Sequence, residues 1–176
     1  MFHSIFEDGS LQDYIDQNVQ DPWIGTHFEG YVFMSPRHKG IFGERFVSKY
    51  FVLRGSKVEK PKNTGHDRII DDKFSEIKFS LATRGKKGKI NEDQFIINHV
   101  SKCKDWERLV FFGINPSEED CRLFWFSKED FIQHLESDKC LFEPQQAGKT
   151  GGNDDYICKN INKLRSMPFV KSIDQW

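Results

Sequence analysis

The chain has 176 residues, of which 37% are hydrophobic and 30% charged, with a net charge of -1; 17 Phe and 4 Trp supply the apolar area of a folded core and exclude a disordered chain. The near-zero net charge counts mildly against a globally basic nucleic-acid binder, and apolar runs such as LVFF and FIIN are too short to span a bilayer. MFHSIFEDGS meets acidic residues too early for a signal or transit peptide, and Cys103, Cys121, Cys140 and Cys158 contain no C-x-x-C pair, so a cytoplasmic protein with free thiols, no structural zinc and no membrane partner is expected.

With no long linker and no repeat, a single domain over 1–176 is the simplest organisation. LQDYIDQNVQ places Leu11, Ile15 and Val19 four apart and predicts a helix. FEGYVFMS, around 28–35, alternates loosely and predicts a strand. GIFGERFVSKYFVL, 40–53, predicts a helix ended by Gly55. Residues 67–82 predict two strands joined by a turn at Asp71 and Asp72. RGKKGK, 84–89, reads as a loop. NEDQFIINHV, from Asn91, suits a helix, although FII is ambiguous. RLVFFGIN and RLFWFS predict strands joined by NPSEED. Ser127 with Asp130 three residues on is a capping pattern for SKEDFIQHL. EPQQAGKTGGN, 143–153, is a polar glycine-rich loop, and DDYICKNINKL predicts a last helix. The order implies an α/β (α+β) fold with a central mixed sheet flanked by helices.

The hairpin raises a chemical question. A two-residue turn at Asp71-Asp72 sets Asp67 opposite Glu76, and Lys78, two residues on, points to the same face. Ile77 and Phe79 then point to the other face and into the core. Two carboxylates this close repel one another when ionised unless a cation lies between them. Mg²⁺ takes oxygen ligands of this kind, and the Ile77 carbonyl at the sheet edge is a further candidate ligand. Lys78 beside such a site suits orienting or deprotonating a water and stabilising charge on a phosphate. The same residues also suit a solvated surface hairpin.

Asp67, eight residues, then Glu76-Ile77-Lys78 resembles the PD-(D/E)XK nuclease superfamily, and within it the type II restriction endonucleases. A helix with a glutamate before the catalytic hairpin is part of that likeness, and GIFGERF supplies Glu44. DQFIINHVSKCKDWERLVFFGINP followed by RLFWFS resembles the segment and strands that come after it. The likeness covers about residues 40–136, and His66 stands where the motif has proline. It implies a restriction-endonuclease-like core, Mg²⁺ held by Asp67, Glu76 and the Ile77 carbonyl, and Lys78 positioning the nucleophilic water. The implied reaction is site-specific hydrolysis of double-stranded DNA to a 5′-phosphate and a 3′-hydroxyl. It further implies a homodimer, a bacterial or phage origin, and a DNA methyltransferase acting on the same site. Glu44 lies along the apolar stripe of its helix, where a carboxylate wants a partner. Glu44 either meets a second metal or its water, or forms a salt bridge with a neighbour such as Arg45, or is exposed to solvent at the helix start.

Residues 36–62 carry eight Lys or Arg against two Glu, which allows a basic surface patch on a nearly neutral chain. DNA contacts are expected from two segments. RGKKGK offers Arg84, Lys86, Lys87 and Lys89 to phosphates directly after the catalytic strand. The loop in 143–176 offers Gln145, Gln146, Lys149, Thr150 and Asn153 to base edges, with glycines that admit close approach. The resemblance aims Gln94 toward the active-site phosphate. His99 and His134 read as surface or satisfied buried residues. Rival readings of the same fold are a nicking repair nuclease and a junction-resolving enzyme; a third is a DNA-binding module without catalysis.

Overall fold

A computed structural model describes residues 3–18, 21–84, 90–91, 95–116, 121–145 and 154–176. The chain divides into two compact units, Met1–Met34 and Ser35–Trp176. The expected catalytic core, 40–136, falls within the second.

In the first unit, α1 spans Ser10–Asn18 after an Asp8 carboxylate that accepts from both the N–H and the hydroxyl of Ser10. Its predicted stripe is exposed at Leu11 and Ile15, and Val19 lies outside the described residues. The strand predicted around 28–35 is instead a series of turns and a 3-10 helix at Tyr31–Phe33. The Asp21 carboxylate accepts from the N–H groups of Trp23 and Gly30, and Gly30 sits at φ 84, so the backbone coils where loose alternation suggested extension.

In the second unit, α2 covers Pro36–Leu53. It starts four residues earlier than predicted because Ser35 caps it, accepting from His38 N–H, with Pro36 in the first turn. Gly55, at φ 89, closes it with Gly55 N–H on the Val52 carbonyl and Ser56 N–H on that of Phe51. Then come β1 (Val58–Glu59), β2 (Arg68–Ile70), β3 (Lys73–Leu81), β4 (Thr83–Arg84), β5 (Ile90–Asn91), β6 (Ile97–Ser101), β7 (Arg108–Ile114) and β8 (Cys121–Ser127). α3 (Lys128–Leu135), β9 (Phe142–Pro144), β10 (Asp155–Cys158), α4 (Ile161–Arg165), β11 (Lys171–Ser172) and a 3-10 helix at Ile173–Gln175 complete the unit. The main sheet is mixed, in the order β1-β2-β3-β7-β8-β11, with β3 and β7 parallel and the other pairs antiparallel. A second sheet runs β6-β10-β9, and β4 pairs with β5.

Two predicted helices are corrected. Residues 97–101 form β6, and 155–158 form β10, because each pairs with the other in the second sheet and buries Ile97, Val100 and Cys158. The last predicted helix, 154–164, is helical only at its end, where α4 (Ile161–Arg165) begins. Ser127 does cap α3, accepting from Asp130 N–H.

The central strand β7 is buried along both faces. Val110 and Phe112 join Val47, Phe51, Ile70 and Ile77 in a core beneath α2, while Phe111 meets Phe124 on the opposite face. Gly43 lets α2 sit close on β3: a Cβ there would stand 2.4 Å from Phe79 Cβ. All four cysteines are free thiols, and no helix among the described residues is long and apolar enough to cross a membrane.

Candidate active site

The site is built on the β2–β3 hairpin. Asp71 and Asp72 both take positive φ, 48° and 62°, as the two central positions of a tight hairpin turn whose twist matches the strands. Ile70 pairs with Lys73 and Arg68 with Ser75, which carries Asp67 to Glu76. Ile77 faces the core under α2, and Glu76 and Lys78 share the opposite face of β3.

Asp67 leaves the ladder just before β2. Its N–H donates to the Ser75 carbonyl at 3.0 Å, and its Oδ2 accepts from the Ile77 N–H at 2.7 Å. The Ile77 N–H therefore points to the β2 side of β3. Its carbonyl leaves an extended strand on that same side, beyond the last β2–β3 pair. The carboxylate of Asp67 and the carbonyl of Ile77 thus meet at one open edge.

Glu76 is 1% exposed. Its Oε1 takes Lys78 Nζ at 2.8 Å and Lys104 Nζ at 3.5 Å, while its Oε2 is buried without a hydrogen-bond partner. Burial and, next, the charge of Glu76 push the Asp67 carboxyl up to about 6; the Ile77 N–H opposes this, Glu44 adds to it and Lys78 opposes it. Two carboxylates in mutual repulsion, one with a desolvated and unpartnered oxygen, form a site that favours a cation. Among the described residues no cluster of three or more His, Cys, Asp or Glu side chains is placed to hold a metal. The oxygen donors at the site are the Asp67 and Glu76 carboxylates and the Ile77 main-chain carbonyl.

Lys78 is held from two sides. Besides Glu76 it donates to the His99 carbonyl at 3.0 Å. His99 takes φ 52, its N–H donates to Gln145 Oε1 at 3.0 Å, and its Nδ1 lies 3.3 Å from Asp155 Oδ2. Sequence reasoning missed both Lys104 and His99, because each reaches the hairpin from the β6–β7 region with no local pattern to mark the contact.

Glu44 pairs with Arg68 Nη1 at 2.9 Å and not with Arg45. Arg68 Nε donates to Ser48 Oγ, which fixes the guanidinium between α2 and β2. His66 is spent within the protein: Nε2 accepts from Lys62 N–H, which leaves Nδ1 to donate to Asp105, and the ring stacks on Phe74 at 4.4 Å. His134 is buried and accepts at Nε2 from Leu141 N–H.

Of the expected DNA contacts, Arg84 closes β4 opposite Ile90. Gln145 directs its Oε1 to His99 N–H. Lys86, Lys87, Lys89, Gln94, Gln146, Lys149, Thr150 and Asn153 lie outside the described residues. No family model matches the chain. A search of curated proteins likewise finds no match.

Proposed function

We propose that the chain is a Mg²⁺-dependent endonuclease for double-stranded DNA, of the type II restriction kind, with a restriction-endonuclease-like core. The observation that carries this reading is the unpartnered, buried Glu76 Oε2 beside an Asp67 whose carboxyl is pushed up to about 6. Mg²⁺ fits there, because a cation would satisfy that oxygen and relieve the repulsion between the two acids. Asp67, Glu76 and the Ile77 carbonyl would hold it. When bound, Mg²⁺ supplies positive charge against the charge that develops on the attacked phosphate.

The remaining work falls to the chain. Lys78, oriented by Glu76 and the His99 carbonyl, holds and directs the attacking water and stabilises the negative charge it creates. The Asp67 bond to Ile77 N–H fixes that carboxylate relative to the strand that carries Glu76 and Lys78. Glu44, paired with Arg68, adds negative charge at the same edge and favours retention of the cation. One centre cuts one strand, so a two-fold homodimer is the economical way to cut a duplex at a palindrome. A DNA methyltransferase acting on the same site is the matching companion.

The test is incubation of the purified chain with unmethylated phage DNA in Mg²⁺ or in EDTA, beside Lys78→Ala. Discrete fragments that require Mg²⁺ and vanish in the variant support the proposal. Intact duplex across several DNAs overturns it, and cutting confined to nicked or branched substrates moves the chain to a repair or junction-resolving task.

A further inference from the structure

Beside the site, α2 and the β1 strand with the residues that follow it enclose an open groove of about 570 Å³. Arg45 and Lys49 line it from α2 and Lys60 from the chain after β1; Arg68, the neighbour of Asp67 in the chain, also lines it, with Val52 and Pro61 as apolar lining. Arg45, Lys49 and Val52 belong to one stripe of α2, since residues four and seven apart share a helix face. The carboxylates nearby are already spent. Glu59 pairs with Lys57 at 2.9 Å, and Glu44 pairs with Arg68. Arg45, Lys49 and Lys60 have no ion-pair or hydrogen-bond partner among the described side chains, and all three are exposed.

We infer that this groove is a phosphate-binding track for one DNA strand, leading to Asp67 and Glu76. The inference rests on the nuclease reading and extends it to cations of α2 and of the chain after β1, outside the hairpin that carries Lys78. Three unneutralised cations converging from two elements form a focus of positive potential on a chain whose net charge is -1. Arg68 links the groove to the site: it lines the groove and pairs with Glu44, one of the charges that act on Asp67. Long side chains on a partly apolar surface suit the sugar–phosphate backbone and carry no sequence information, so the track positions DNA without reading it.

The experiment uses the full chain carrying Lys78→Ala, so that bound duplex is not consumed, and a fluorescent duplex of arbitrary sequence in EDTA. Affinity is measured by anisotropy over a range of NaCl concentrations. One variant adds Arg45→Gln, Lys49→Gln and Lys60→Gln. A control adds Lys139→Gln, Lys163→Gln and Arg165→Gln, three exposed cations outside the groove and equal in charge change. The expected result is at least tenfold weaker binding for the groove variant alone. The slope of log affinity against log salt should also fall by about two to three, the number of phosphate contacts removed. Equal losses in groove and control variants, or no loss in either, overturn the track. If the wild type cuts DNA while the groove variant binds like the control, the track alone fails. If the wild type does not cut and the Lys78→Ala parent does not bind duplex, the nuclease reading fails and the track falls with it.

Discussion

The Oδ2 of Asp67 accepts the main-chain N–H of Ile77 at 2.7 Å. A carboxylate from one strand of the hairpin is thereby fixed to the backbone of the other, between the residues that flank Ile77, Glu76 and Lys78. The bond stabilises the ionised acid, yet burial and the charge of Glu76 outweigh it and hold the Asp67 carboxyl up at about 6.

A stability test follows. The folded chain holds this proton more tightly than the unfolded chain, where the carboxyl returns to its ordinary value of 3.8. Stability contributed by the protonated form is therefore lost as pH rises from about 4 through about 6. Asp67→Asn removes that loss while its amide oxygen can still accept from Ile77 N–H. In EDTA at pH 7 the variant should be more stable than the wild type by about 1–3 kcal/mol, with the gain gone below pH 4. Urea unfolding at the two pH values measures it, and a variant no more stable at pH 7 would contradict the assignment. The variant should have no cleavage activity.

The pH dependence of cleavage tests the same carboxyl from the other side. If the proposed cleavage needs the ionised form, the rate should fall with a one-proton slope as pH drops through about 6 at low Mg²⁺. Saturating Mg²⁺ favours the carboxylate and should shift the midpoint to lower pH. A midpoint that ignores Mg²⁺ would separate Asp67 from the cation.

Gln145 supports His99 in its left-handed conformation, and the His99 carbonyl supports Lys78. Gln145→Ala should lower kcat by about three- to tenfold while KM for DNA and the fragment pattern stay unchanged, the signature of a positioning residue. Altered fragment patterns would instead make Gln145 a reader of bases.

Gly43→Ala tests how α2 is seated. The added methyl meets Phe79 Cβ at 2.4 Å, with the aromatic ring behind it. The helix must lift or the ring must turn, at a cost of about 1–3 kcal/mol, read as a lower denaturation midpoint.

The hairpin was legible from sequence because its determinants are local. Asp71 and Asp72 tolerate positive φ, and side-chain alternation then assigns Asp67, Glu76 and Lys78 to one face and Ile77 to the other. The start of α2 was written in Ser35 and Pro36 and was overlooked. β6 and β10 were not legible, since what makes them strands is their pairing with one another across more than fifty residues, which outweighs the helical look of DDYICKN. Shorter but still non-local separations hid Lys104 on Glu76 and Arg68 on Glu44. Both contacts join elements that sequence spacing does not relate.

The parallel pairing of β3 with β7 has a kinetic consequence. The β2–β3 hairpin closes through a two-residue turn, but Ser75 finds Arg108 only after the intervening chain has looped back. Local contacts form quickly and distant parallel ones slowly. The three charged side chains are therefore gathered early, in water, and Glu76 loses its hydration only when β7 docks. The molecule meets the cost of its own chemistry late in folding, and an acidic refolding buffer, by protonating Asp67 and so removing its repulsion with Glu76, should ease that last step.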